Sequence, residues 1–235
     1  QADHAAHMQK LRRWFWCGVF GELYGSAAES RFARDVMEVP AWLLDGGPEP
    51  GTVKEGLLRP ERLLTMRTRL SAAYKGIHAL LMSQHATDFL SGTPFGQSVF
   101  FDEAVDIHHI FPKAWCERQK LPVAEYDCVV NKTPLAARTN RIIGGVAPSA
   151  YLRRLQDGQT DAQGRVVVPP IAPTDLDGYL ASHAIPVEQL RGDDFAGFMQ
   201  KRQRNLLALA CAATGHALPV QQAEVAEEGE ELSEA

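Results

Sequence analysis

The run Asp106-Ile107-His108-His109-Ile110-Phe111-Pro112 sets a carboxylate and two imidazoles side by side, and Asn131 and Asn140 follow downstream. These are the groups that hydrolysis of a phosphodiester requires. One group must deprotonate water, and a cation must stabilise the charge building on the phosphoryl and leaving oxygens. In an extended segment neighbouring side chains point to opposite faces, so His108 and His109 do not readily hold one ion together, whereas Asp106 and His108 share a face. That split fits His108 as a metal ligand, Asp106 as a nearby carboxylate orienting an imidazole or the ion's water, and His109 as the general base.

An Asn side-chain carbonyl is a hard neutral ligand suited to Mg²⁺ or Mn²⁺, and one His with one Asn leaves positions open for water and phosphate. Asn140 is placed for that task, inside a short segment rich in helix formers. Between Asn131 and Arg154 stand Lys132, Arg138, Arg141, Arg153 and Arg154 without one acidic residue, a pattern suited to the phosphate backbone and weakened by salt. Each feature also has a plain structural reading. Two histidines in an apolar strand can be a packed, hydrogen-bonded pair, Asn131 a turn residue, and the five cations a solvated helix face.

The elements that must position these groups are mostly helical at first. Leu11, Phe15 and Val19, flanked by Trp14, Trp16 and Phe20, predict a well-buried helix over residues 5–24. A second is expected from Ala27 to Val39, stopping at Pro40, followed by a loop from Asp45 to Gly51. One long helix is expected from Pro60 to Gln84, with Leu63, Leu64, Leu70, Tyr74, Ile77 and Leu81 as its apolar stripe. Strands are expected at Ser98–Phe101, Val105–Phe111 and Val129-Val130. Pro148 starts a helix, Arg165 to Val168 is a strand within a loop, and Asp193 or Asp194 caps a final helix ending near Gly215. His183 is expected to be structural, and the acidic end disordered.

Composition is compatible with this chemistry. With 235 residues and 45% apolar content the chain can bury a real core. Its formal charge of −5 is unhelpful for binding phosphate, but six of its 29 acidic groups lie between Glu224 and Glu234. Setting those aside leaves 23 against 24 basic groups, a balance of +1 over residues 1–220. Cys17, Cys116, Cys128 and Cys211 form no C-x-x-C pair, which argues against a disulfide framework and a structural zinc site and suits a reducing cytoplasm. No apolar run approaches the roughly 20 residues of a membrane span. The polar start without methionine suggests a fragment lacking upstream sequence.

Asp106 to Pro112, Asn131-Lys132-Thr133-Pro134-Leu135, Arg138 to Gly145 and Pro148 to Leu152 together resemble an HNH nuclease of the ββα-metal class. More narrowly, they are similar to the C-terminal half of the GmrSD-type, modification-dependent restriction endonucleases. Trp14-Phe15-Trp16, Ser182-His183-Ala184-Ile185 and Asp194 to Arg202 extend the likeness over most of the chain. The resemblance implies a mostly α fold of the α+β kind, with a small β-hairpin-plus-helix core. It implies His109 as general base, His108 and Asn140 as ligands of one Mg²⁺ or Mn²⁺, and Asn131 as a brace of the active-site loop. It further implies DNA as partner, a ParB-like nucleotide-hydrolysing domain or subunit upstream, and a role in restriction and phage defence.

Four regions are then expected: a helical domain over 1–95, the nuclease core over 96–156, a C-terminal helical region over 157–217 and a disordered acidic tail over 218–235. Two other functions stay open. One is a catalytically decayed DNA-binding or regulatory module; the other is cleavage of RNA, since phosphate contacts do not separate the two polymers.

Overall fold

The computed structural model describes residues 2–25, 28–44, 46–95 and 106–219, so the expected strand at Ser98–Phe101, the beginning of the next at Val105, and nearly all of the acidic tail lie outside the described residues. The chain is mostly helical, with two small antiparallel sheets of two strands each.

Five helices make up the first third: α1 (Ala2–Phe20), α2 (Ala28–Leu44), α3 (Gly51–Glu55), α4 (Pro60–Thr65) and α5 (Ala72–Ser83). The buried side of α1 is set by Cys17, Gly18 and Phe20 rather than by Phe15, which is 53% exposed. The reason is the close approach of α3, where a Cβ on Gly56 would meet the Cys17 carbonyl at 2.4 Å. Contrary to expectation, α2 runs through Pro40. Proline deletes the bond to the Val36 carbonyl, but Val36 is well exposed and water can serve that oxygen. Trp42 repays the disruption by packing against Cys17 and Val53, with its carbonyl accepting from Lys10 Nζ at 2.7 Å.

The helix expected from Pro60 to Gln84 is broken between α4 and α5, and Leu70, assigned to its stripe, is exposed. Ser71 caps α5 by accepting the Tyr74 N–H at 3.1 Å. The carbonyls freed by the break are used elsewhere: that of Met66 accepts from Val129 N at 2.8 Å and that of Arg67 from Lys132 Nζ at 2.9 Å.

Strand β1 (Asp106–His109) pairs antiparallel with β2 (Lys132–Leu135), and α6 (Lys113–Arg118), α7 (Val123–Tyr126) and a 3₁₀ turn (Val129–Asn131) lie between them. The turn occupies the place expected for a strand, because Val129 and Val130 pack into a helical core instead of joining the ladder. One residue past β2 begins α8 (Ala137–Ile143), completing a strand–strand–helix unit, and α9 (Pro148–Asp157) follows with proline in its first turn. A short hairpin of β3 (Gln159–Thr160) and β4 (Val166–Val168) leads to α10 (Pro173–Ala181), α11 (Val187–Arg191) and α12 (Phe195–Thr214). Asp194 caps α12 through the Gly197 N–H at 2.9 Å, while Asp193 receives the backbone N–H and hydroxyl of Ser149. Gly215, at φ 69°, ends the helix in the left-handed region that glycine adopts without strain.

Two apolar cores hold the unit in place. One joins Phe20, Leu63 and Ile77 to Val129, Val130 and Leu206, and the other joins Ile110, Phe111, Leu135, Ile143 and Tyr151 to Leu176 and Phe198. Both draw side chains from either side of residues 95/96 and 156/157. Among the described residues no helix is long and apolar enough to cross a membrane.

Candidate functional site

The end of β1 is clamped from several sides. Ile110 N donates to the Asn131 carbonyl at 2.9 Å, and the buried Tyr151 hydroxyl donates to the Ile110 carbonyl at 3.0 Å. The Asn131 side chain, fully buried, accepts the Phe111 N–H at 2.8 Å and donates to the carbonyls of Phe111 and Tyr126 at 3.0 and 3.1 Å. All its polar capacity but one lone pair is spent on backbone. The Asn131 side chain thus ties together the backbone of Phe111 and Tyr126 just beyond His109.

His109 lies opposite Lys132 in the ladder, and His108 opposite Thr133. The His109 Nε2 bonds to Asp127 Oδ1 at 3.1 Å, and the same oxygen receives Lys132 Nζ at 2.6 Å. Burial lowers the His109 imidazole below its ordinary value, against the opposing hydrogen bond to Asp127, so the neutral, proton-accepting form prevails at neutral pH. Asp127 loses hydration, which pulls its carboxyl upward, but the bonds to Lys132 and His109 outweigh this and hold it below the usual carboxylate range. Lys132, expected on DNA, is instead a buried cation tied to Asp127 and to the Arg67 carbonyl, and the register opposite His109 is what turned it inward.

Thr133 continues the bracing. A carbonyl can only accept, so His183 Nε2 donates to the Thr87 oxygen at 2.7 Å, and Nδ1 accepts the Thr133 hydroxyl at 2.6 Å. His183 is fully buried, in the turn that follows α10 rather than within a helix. Arg202, fully buried on α12, donates to the carbonyls of Val130 at 2.5 Å, Lys132 at 3.0 Å and His183 at 3.1 Å.

α8 has no cap of its own; buried Asp88, from the loop after α5, accepts the Ala136 N–H at 3.1 Å and the Thr139 hydroxyl at 2.7 Å. Asn140 on this helix is half-buried, and neither its amide nor the His108 ring hydrogen-bonds to any described residue. Burial lowers the His108 imidazole, against the charge of Asp106, leaving a neutral ring able to ligate. One neutral nitrogen and one amide oxygen fit a hard divalent ion that keeps positions open for water and phosphate. The Asp106 carboxylate pairs with Arg69 and accepts the Ile107 N–H at 2.8 Å, and among the described residues it hydrogen-bonds to no imidazole. Among the described residues no three His, Cys, Asp or Glu side chains form a metal-binding group.

Of the expected phosphate contacts, Arg138, Arg141 and Arg154 line one open cleft of about 450 Å³ with Gln159 and Val167, and the Arg138 guanidinium bonds to the Val167 carbonyl. Arg153 does not join them and lines another cleft beside Arg191. Sequence reasoning missed Asp127, Asp88 and Arg202 as parts of the site, because each reaches it through a long-range contact that no local spacing signals.

No protein-family profile and no solved structure matches the chain. It is 28% identical over 152 residues to uncharacterized protein MJ0686 of Methanocaldococcus jannaschii, an alignment covering 63% of this chain and 25% of that protein. The chain therefore spans about a quarter of the length of the curated relative it matches.

Proposed function

We propose that the chain carries a metal-dependent HNH endonuclease site that hydrolyses DNA, in the effector half of a GmrSD-type restriction system. The observation that carries this reading is the Asn131 clamp on Phe111, two residues beyond His109, within a strand–strand–helix unit whose helix bears Asn140. His109, neutral and half-buried, takes the proton of the attacking water. His108 and Asn140 would hold the single Mg²⁺ or Mn²⁺, which supplies charge stabilisation at the phosphoryl oxygens. Asn131 fixes the loop, and Arg138, Arg141 and Arg154 receive the backbone along their shared cleft. Recognition of modified bases, and its control by a ParB-like nucleotide-hydrolysing partner, belong to the same proposal.

Plasmid nicking in Mg²⁺ or Mn²⁺ tests it. Cleavage is expected to vanish with EDTA and with His109→Ala, while DNA binding survives that substitution. Cleavage retained by the alanine variant removes His109 from the base role. The pairing of Asp106 with Arg69 favours a second reading, a decayed module that only grips DNA. Salt-dependent binding with no cleavage in any divalent metal, and no metal-induced thermal shift, would establish that reading instead.

A further inference from the structure

The base assigned above has two ring nitrogens, and only one can take a proton from water. Asp127 Oδ1 lies 3.1 Å from Nε2 of His109, while Nδ1 has no hydrogen-bond partner among the described residues and the side chain keeps 23% of its surface exposed. An ionised carboxylate accepts and cannot donate, so the contact requires Nε2 to carry the hydrogen and leaves the lone pair on Nδ1.

Asp127 is itself held. It closes α7, its N–H bonding to the Val123 carbonyl at 2.9 Å, and its Oδ1 takes the Lys132 ammonium at 2.6 Å. Lys132 is in turn fixed by the Arg67 carbonyl at 2.9 Å. Because His109 and Lys132 are cross-strand partners, their side chains share a face, and the carboxylate sits between them. The preceding residue, Tyr126, sets its ring edge-on to the imidazole at 6.0 Å.

We propose that Asp127 is the positioning residue of His109, fixing both the rotation and the tautomer of the ring so that Nδ1 is the atom that accepts the proton, with Lys132 anchoring the carboxylate. The proposal rests on the nuclease reading. In the step it serves, the water oxygen bonds to phosphorus as its proton moves to Nδ1, and the ester P–O bond breaks, its oxygen taking a proton from solvent. Asp127 touches neither water nor phosphate and acts only through the imidazole.

Two measurements on the full chain test this. In long-range ¹⁵N–¹H correlation spectra of ¹⁵N-histidine-labelled protein, with His109 assigned by its loss in His109→Gln, wild type is expected to show the Nε2–H tautomer and Asp127→Asn a mixture. The near-isosteric Asn is preferred because Asp127→Ala strands the Lys132 ammonium and endangers folding. In plasmid nicking, Asp127→Asn is expected to lower kcat roughly tenfold to a hundredfold, leaving KM, DNA affinity and the Mn²⁺-induced thermal shift unchanged. An Nδ1–H tautomer in wild type, or a kcat within about twofold of wild type in the Asn variant, overturns the proposal alone. A wild type that binds Mn²⁺ and DNA but never nicks overturns the nuclease reading, and the proposal falls with it.

Discussion

The Asn131 side chain closes a ring with the backbone of Phe111, accepting its N–H at 2.8 Å and donating to its carbonyl at 3.0 Å, 20 residues away along the chain. No solvent reaches this pair, so nothing replaces the amide when it is removed. Asn131→Ala is expected to leave the buried Phe111 N–H and Tyr126 carbonyl unpaired, and the Phe111 carbonyl with only the Cys116 thiol at 3.5 Å, and to cost on the order of 3 kcal/mol. Urea unfolding of the variant measures this, and a loss under about 1 kcal/mol would show that the loop rearranges without its brace.

Metal affinity and proton transfer are assigned to different residues and should separate. His108→Ala and Asn140→Ala are each expected to weaken Mn²⁺ binding by tenfold or more in calorimetric titration, following the usual cost of disturbing a sparse site. His109→Ala is expected to leave Mn²⁺ affinity within about twofold and to abolish nicking.

The cleft lined by Arg138, Arg141 and Arg154 makes a prediction about salt. Each phosphate contact contributes about 0.9 to the slope of log K against log salt. Arg141→Gln with Arg154→Gln should flatten that slope by about 2, read by fluorescence anisotropy on duplex DNA. Arg153→Gln, on its separate cleft, is expected to change it little.

Two buried histidines make stability depend on pH. Burial drives His78 down to about 3 and His183 to about 4, against an unfolded value near 6.5. Between those values the unfolded chain binds more protons, so stability is complete above about pH 6.5 and falls as pH drops toward 4. His183 alone accounts for a loss on the order of 3 kcal/mol at the acid end. Both His78 ring nitrogens lack a hydrogen-bond partner among the described residues, and the ring packs edge-on against Tyr74 at 4.7 Å. His78→Phe is therefore expected to stabilise the protein by about 1 kcal/mol at pH 7, and by more at pH 5. Thermal melts across that range decide, and a destabilised variant at both pH values would show that the imidazole is needed where it stands.

The motif around His109 was legible because its information is local: two histidines, a turn and two asparagines in fixed order. The helices were legible where apolar spacing was uninterrupted, as in α12. Val129 and Val130 misled because β-branched residues suit a strand, yet Met66 and Leu206 cover them as a 3₁₀ turn. The strand begins at Lys132 and contains Pro134, tolerable because a two-stranded sheet leaves each strand an edge. Asp127 was illegible for a related reason. Only the antiparallel register places Lys132 across from His109, and only that placement shows what the carboxylate lies between.

Arg202 sets the order in which a newly made chain can finish its site. Its guanidinium fills the carbonyls of Val130, Lys132 and His183 from within α12, the last helix among the described residues. A ribosome that has passed His109 and Asn140 has made both proposed ends of the chemistry but not the arginine that pins the strand between them. A nascent or truncated chain ending before residue 202 thus holds the proposed reactive groups without their final alignment, which waits until α12 has been made.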